Sequence, residues 1–352
     1  YGLSDVLTTV KDAEIPVFSY DDLIMNTNAV KYYVTFGGRQ IGQTIAKQII
    51  DSEELDKVQE AGESRTIEFL MGSLDDTQAL FLYNGVMEVL QPYFDAGTLV
   101  CRSGKLSFED TGILRWSTDL AKTRMTDILT DAYQEDSVPD IICTGFDNAA
   151  LGAEEALEES GAVPGTEDWP MISGTGCDAE RVRRIAEGKQ TFSIFMDRRE
   201  LADQCEDMVN VYLHGEDDPE VNDYEQYDNG TKIIGSYLCN IQVIDIDNYE
   251  LLIDNGYYSE DEVRPLTTPV PTEKEVSPTP TETAEPVTPA PTETAEQTET
   301  PDLEEESGSE EMVTPTSEEK EENKVTPTPE EKKVTPTPKP KVTLKKSSKI
   351  KK

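Results

Sequence analysis

From Leu3 to about Leu266 the chain alternates between two rhythms of apolar residues. Short, nearly continuous apolar runs read as strands at Ile15–Tyr20, Tyr32–Phe36, Thr66–Met71, Leu99–Arg102, Asp140–Thr144, Pro170–Gly174, Thr191–Met196 and Gly235–Ile244. Runs of this kind suit strands covered on both faces. Between them apolar residues recur every three or four positions, which predicts helices at about 3–13, 40–50, 76–94, 112–133, 148–160, 178–187 and 198–213. The stretch 112–133 fits least well, because Arg115, Trp116 and Arg124 interrupt its apolar face. Glycines at Gly37-Gly38, Gly161, Gly188 and Gly215 mark reversals. The alternation is that of βαβ units, so the expected fold class is α/β with parallel sheets.

Three of the strand runs end in an aspartate that opens the next helix: Phe146-Asp147, Cys177-Asp178 and Met196-Asp197. In open α/β sheets ligands sit in the crevice beyond the carboxyl ends of the strands. The repeated placement therefore predicts a binding cleft edged by acids.

Near Leu266 the pattern stops. From Thr267 onward the chain is Pro, Thr, Glu and Lys without an aromatic residue, too polar to offset its ordering entropy, and 267–352 is expected to be a disordered linker or tail. It repeats Pro-Thr-Glu-Thr-Ala-Glu at 280–285 and 291–296 and Val-Thr-Pro-Thr-Pro at 325–329 and 334–338, and ends in a lysine cluster. Two readings are open: a solvated spacer before another module, or a basic end attracted to a cell wall or membrane surface.

Charge narrows the partners. A formal net charge of −41 over 352 residues repels nucleic acid and anionic lipid, so no nucleic-acid partner is expected for the folded part. No run of 18 apolar residues suggests a membrane span. The first residues already carry a helical pattern at Val6, Leu7 and Val10, as in a chain that begins within a domain. The five cysteines, Cys101, Cys143, Cys177, Cys205 and Cys239, lack metal spacing and read as buried thiols; Cys143 and Cys177, on successive strands, could come near each other.

Catalytic signals are weak. There is no GxSxG, P-loop or GxGxxG, and the single His214 sits at a helix end beside Gly215, where a cation suits the helix dipole. No enzyme, metal or cofactor is expected. The acid pairs Asp21-Asp22 and Asp75-Asp76 could serve a glycosidase, but acids after a strand more often cap a helix or contact a ligand; for Asp76 both uses stay open. Trp116 offers either a stacking face for the C–H side of a sugar or a core contact, while Trp169 reads as packing. Asp245-Ile246-Asp247-Asn248 and Glu216-Asp217-Asp218 lack the spacing and glycine of a calcium loop.

Several segments, in order, resemble the type I periplasmic sugar-binding proteins of ABC importers, in particular the xylose and multiple-monosaccharide branch. They are IPVFSYDDLI at 15–24, YYVTF at 32–36, GSLDD at 72–76, YNG at 83–85, LQPY at 90–93, LRW at 114–116, DAE at 178–180 and DNGYY at 254–258. The resemblance implies two doubly wound, Rossmann-like lobes that close on a sugar. It assigns 1–38 and 195–234 to an incomplete N-lobe, shortened at its N-terminus, and 39–194 with 235–266 to the C-lobe. It also implies an extracytoplasmic monomer, in the periplasm or at the cell surface with a lipid anchor as one option, that serves an importer permease; the alternative is a surface-displayed sugar sensor on its Pro/Thr spacer, uncoupled from transport. By position, Asp178 matches the family's sugar-binding aspartate, Asp76 its first polar contact after the Gly-Ser strand end, and Trp116 falls near its stacking aromatic. Asp22 stands where the family has Arg, Thr77-Gln78 where it has two Asn, and Phe146 where it has Asn. These departures imply a ligand other than the usual monosaccharides, an amino-bearing sugar among the possibilities.

Overall fold

The structure, a computed structural model, describes residues 3–133, 137–215 and 218–265. The expected disordered tail at 267–352 lies outside them, as does most of the acidic run at 216–218.

Among the described residues the strands are β1 (Val17–Tyr20), β2 (Val30–Phe36), β3 (Arg65–Leu70), β4 (Leu99–Val100), β5 (Ile141–Thr144), β6 (Met171–Ile172), β7 (Phe192–Phe195), β8 (Gly235–Cys239) and β9 (Gln242–Asp245). The helices are α1 (Ser4–Asp12), α2 (Gly38–Ser52), α3 (Leu55–Ala61), α4 (Thr77–Asp95), α5 (Phe108–Thr111), α6 (Thr118–Ala132), α7 (Asp147–Ser160), α8 (Ala179–Ala186), α9 (Arg198–His214), α10 (Leu251–Asp254) and α11 (Glu260–Val263). One parallel sheet has the order β1-β2-β8 and another the order β4-β3-β5-β6; β7 and β9 form an antiparallel pair, joined to the β6 end by a bridge between Thr175 and Ile194. The α/β class with parallel sheets stands as the apolar rhythm predicts.

Sequence periodicity and burial agree where helices cover sheets. In α2 the buried positions are Gly38, Ile41, Gly42, Ile45, Ala46 and Ile49, the three- and four-residue spacing of one helical face. Strand β5 is buried at every residue, as a strand between two helix layers must be. The buried Glu68 of β3 is satisfied by the Ser103 N–H at 3.0 Å and the Tyr133 hydroxyl at 3.0 Å. All five cysteines are free; Cys143, Cys177 and Cys239 are buried, and Cys101 and Cys205 partly so. Trp169 packs as expected, its Nε1–H donating to the Lys189 carbonyl at 2.8 Å.

Two expectations are corrected. The run Gly235–Ile244 is two strands: β8 pairs with β2, and β9 pairs with β7 in the opposite sense, with Asn240 and Ile241 carrying the chain between sheets. Residues 235–239 thus edge the first sheet, and residue 195 ends β7. An unbroken apolar run hides such a crossing, because only pairing partners distinguish the two halves. The helix expected at 112–133 is broken: a 3₁₀ turn covers Leu114–Trp116, and α6 starts after Ser117, whose Oγ accepts from the Leu120 N–H at 3.3 Å.

The crossings between sheets are tied to each other. Asp197, after β7, caps α9 by accepting the Arg199 N–H at 2.9 Å. Glu200, in the first turn of α9, accepts from the Asn240 backbone N–H at 3.1 Å and its side-chain amide at 2.8 Å.

Candidate functional site

The carboxyl ends of both parallel sheets open onto one cleft. Asp21 and Asp22 follow β1, Phe36 ends β2, Asp76 follows β3, and Gly145, Thr175 and Met196 follow β5, β6 and β7. With Thr35, Gln78, Trp116 and Arg198 they line a cavity of about 470 Å³. A neighbouring recess of about 520 Å³ shares Asp22, Asp76 and Trp116 and adds Ser73, Asp75, Thr77 and Arg115. Such volumes suit a small organic ligand. Of the six residues singled out in the sequence, Asp22, Asp76, Thr77 and Trp116 are brought together here; Phe146 and Asp178 are not among the lining residues.

Trp116 reaches the cleft through a strained turn. Arg115 and Trp116 both have φ of 56°, the left-handed region that costs a residue with a Cβ. The turn is anchored to the end of β3: the Ile113 N–H donates to the Met71 carbonyl at 3.0 Å, and the Arg115 N–H to Ser73 Oγ at 2.8 Å. The indole then lies on Gly72, where a Cβ would fall 2.4 Å from its Cη2. Phe146 meets it edge-on, with ring centroids 5.0 Å apart and planes at 83°. Phe146 is only 7% exposed; it stands against Trp116 and helps fix the plane of that ring. Half-buried, Trp116 makes core contacts on one side and forms part of the cleft wall on the other.

The acids differ in their surroundings. Asp76 caps α4, its Oδ1 accepting the Gln78 N–H at 2.8 Å, and also lines the cleft. Loss of solvent pushes its carboxyl pKa above the usual range; the Gln78 N–H opposes this and the charge of Asp22 adds to it. Asp21 is accessible yet walled by protein, and desolvation likewise raises its pKa, reinforced by Asp22 and opposed by Arg198. The pair Asp21-Asp22 caps no helix: Asp21 has φ of 62°, and its carbonyl accepts from the Tyr33 hydroxyl at 2.5 Å and Thr35 Oγ1 at 2.9 Å. Asp75 is held below its usual pKa, first by the Ser73 hydroxyl at 2.5 Å.

The three strand-end aspartates have separate fates. Asp147 is buried, accepting from the Cys177 N–H at 2.6 Å, Ser193 Oγ at 2.7 Å and the Gln190 side-chain amide at 2.8 Å. It clamps the loop that carries Thr175. Asp197 caps α9. Asp178 is exposed at the start of α8 and makes no capping bond. It stands near Tyr258, whose hydroxyl donates to the Cys177 carbonyl at 2.9 Å. Burial raises the Tyr258 pKa most, Asp178 adds to the rise, and Arg198 of the cleft opposes it.

Sequence reading missed Arg198, which follows the strand-end Met196-Asp197 by a single step and carries no motif. Asp21 was visible as half of an acid pair, and Gln78 as the neighbour of Thr77. Gln78 donates from Nε2 to the Tyr33 hydroxyl at 2.8 Å, tying α4 to β2 beneath the cleft.

Comparison with known proteins gives a consistent relationship. A family model described as periplasmic binding protein domain matches residues 2–217. The multiple sugar-binding periplasmic receptor ChvE of Rhizobium radiobacter is 38% identical over 263 residues, which cover 74% of this chain and 73% of the relative. The D-xylose-binding periplasmic protein of Haemophilus influenzae is 29% identical over 264 residues, covering 74% and 71%. Among solved structures, an ABC transporter solute-binding protein from Clostridium phytofermentans with bound β-D-glucose is similar at a TM-score of 0.67 and 38% identity, covering 74% of this chain and 79% of that one. The chain belongs to the periplasmic binding protein family, with the type I fold.

Proposed function

We propose that the protein captures a monosaccharide-like ligand outside the cytoplasm and presents it to the permease of an ABC-type importer, without chemical change. The observation that carries this reading is the cleft itself: strand ends of both sheets converge on one cavity walled by Trp116 and edged by Asp22, Asp76 and Thr77. A half-buried indole beside carboxylates suits a ring with an apolar C–H face and hydroxyl donors at its rim. The relatives named above as sugar-binding periplasmic receptors, and the glucose-bound structure, support the same class. In this reading Trp116 stacks on the ring, Asp22 and Asp76 accept from hydroxyls, and Thr77 supplies a hydroxyl. Asp178 joins from the rim, on the side of Arg198, when the two lobes close as a monomer around the ligand.

The full chain should gain thermal stability and change its Trp fluorescence with at least one sugar from a broad monosaccharide panel. At a ligand concentration about 100-fold above Kd the stabilisation is about 2.7 kcal/mol, readily seen in a melting curve. A folded protein that shows no shift with any sugar removes this reading.

A further inference from the structure

The aromatic wall of the cleft stands on a backbone that its own residues disfavour. Arg115 and Trp116 both have φ of 56°, and residues with a Cβ rarely adopt that left-handed region twice in succession. Such a conformation persists only where the surroundings hold it. Here the surroundings are three consecutive residues after β3. Gly72 leaves the room that the indole fills, since a Cβ there would fall 2.6 Å from Trp116 Cζ3. Leu74 lies on Gly112, where a Cβ would fall 2.3 Å from Leu74 Cδ2. Between them Ser73, only 1% exposed, accepts the Arg115 N–H on its Oγ at 2.8 Å, at the first of the two strained residues.

The Ser73 hydroxyl is itself directed. It donates to Asp75 Oδ1 at 2.5 Å, and this bond is the first cause holding the exposed Asp75 carboxyl below its usual pKa. A hydroxyl carries one proton and two lone pairs. With the proton committed to Asp75, only lone pairs remain to face the Arg115 N–H. A bond to an ionised acceptor is of the stronger class, and it polarises the next bond in the chain. Asp75, Ser73 and the Arg115 N–H thus form a short relay from the exposed rim to the backbone that carries Trp116.

We propose that Ser73 is a positioning residue for ligand capture: its hydroxyl, set by Asp75, latches the Leu114–Trp116 turn so that the indole stands as the cleft wall. The proposal rests on the sugar-binding reading above and deepens it, because it names what holds the stacking face ready before a sugar arrives. Without the latch the Arg115 N–H loses its acceptor and the left-handed pair loses its compensation. The turn then relaxes, and the indole leaves its seat on Gly72.

The chain has two tryptophans, so Trp169→Phe leaves Trp116 as the only indole to observe. In that background the full chain is compared with and without Ser73→Ala by acrylamide quenching and by titration with the monosaccharide panel, and far-UV circular dichroism confirms folding. Ser73→Ala should raise the quenching constant of Trp116 about twofold and weaken the tightest-binding sugar about tenfold, the scale of one buried hydrogen bond. Asp75→Ala should move both readings in the same direction by less, and an Asp75→Ala variant identical to the parent in both overturns the relay. A role confined to stability would lower the melting point and leave quenching and affinity as they were, which overturns the proposal. Ser73 also lines the recess beside the cleft, so a direct sugar contact is the rival reading: it would cost affinity with quenching unchanged, and that result overturns the latch. Increased quenching with affinity intact overturns it too. Should Ser73→Ala not fold, Ser73→Cys, which fills the site with a weak acceptor, is read in the same way. If no saccharide binds the parent, the sugar-binding reading falls, while quenching still decides whether Ser73 sets the ring.

Discussion

At Asp147 three donors from two separate segments converge on one buried carboxylate: the Cys177 N–H from the loop before α8, and the Ser193 hydroxyl and the Gln190 amide from the run that enters β7. The apolar run before it made Asp147 look equivalent to Asp178 and Asp197, because sequence shows where a strand ends but not which acid the loop folds over. Asp147→Ala should therefore destabilise the protein by about 3 kcal/mol in urea melts, since the donors left behind lose both partner and water. Affinity should fall with it, although Asp147 lines no part of the cleft, because the loop carrying Thr175 is released. A variant as stable as the parent would show the clamp to be dispensable. Trp116 teaches a related lesson. Its chemistry was legible, but whether a lone indole faces core or cleft depends on Gly72 and Phe146, brought beside it from other segments.

Among the elements, α2 and α4 lie nearly backbone to backbone. A Cβ on Gly42 would fall 2.0 Å from the Leu82 carbonyl oxygen, and one on Gly85 would fall 2.1 Å from that of Arg39. Gly42→Ala should cost about 1–3 kcal/mol by forcing the helices apart, more than the helix propensity of alanine returns. Because α4 begins at the Asp76 cap, the same change should weaken ligand binding; chemical denaturation and titration together would show it, and an unchanged melting point would contradict the close approach. Both helices were legible from their apolar spacing, whereas their contact was not. The break between the 3₁₀ turn and α6 was foreshadowed by the charges that interrupt the face of 112–133. The division of 235–244 was not foreshadowed, since both halves are apolar and only pairing with β2 or β7 separates them.

For the molecule as a whole, buried acids set the response to pH. Glu154 of α7 is fully buried against Arg184 of α8, and burial, outweighing that cation, raises its pKa from 4.5 to about 7. Asp21, Glu53, Asp76 and Asp147 are displaced upward too, burial being the first cause in each. A group whose pKa rises on folding keeps protons that the unfolded chain gives up, so its stabilisation is complete below about pH 4.5 and lost as pH rises through about 7 for Glu154. Thermal melts should show the protein more stable at pH 5 than at pH 8, and Glu154→Gln should narrow the difference by on the order of a few degrees. An unchanged gap would show that Glu154 keeps an ordinary pKa. The sequence by itself determined the α/β class, the strand-end acids and the ordered family segments, because periodicity, composition and short motifs are local properties. Only the tertiary structure decided which acids line the cleft, that Phe146 packs edge-on against Trp116, and that Arg198 lines the same cavity. Those outcomes depend on which distant segments approach one another, and burial and charge act through that proximity, not through order along the chain.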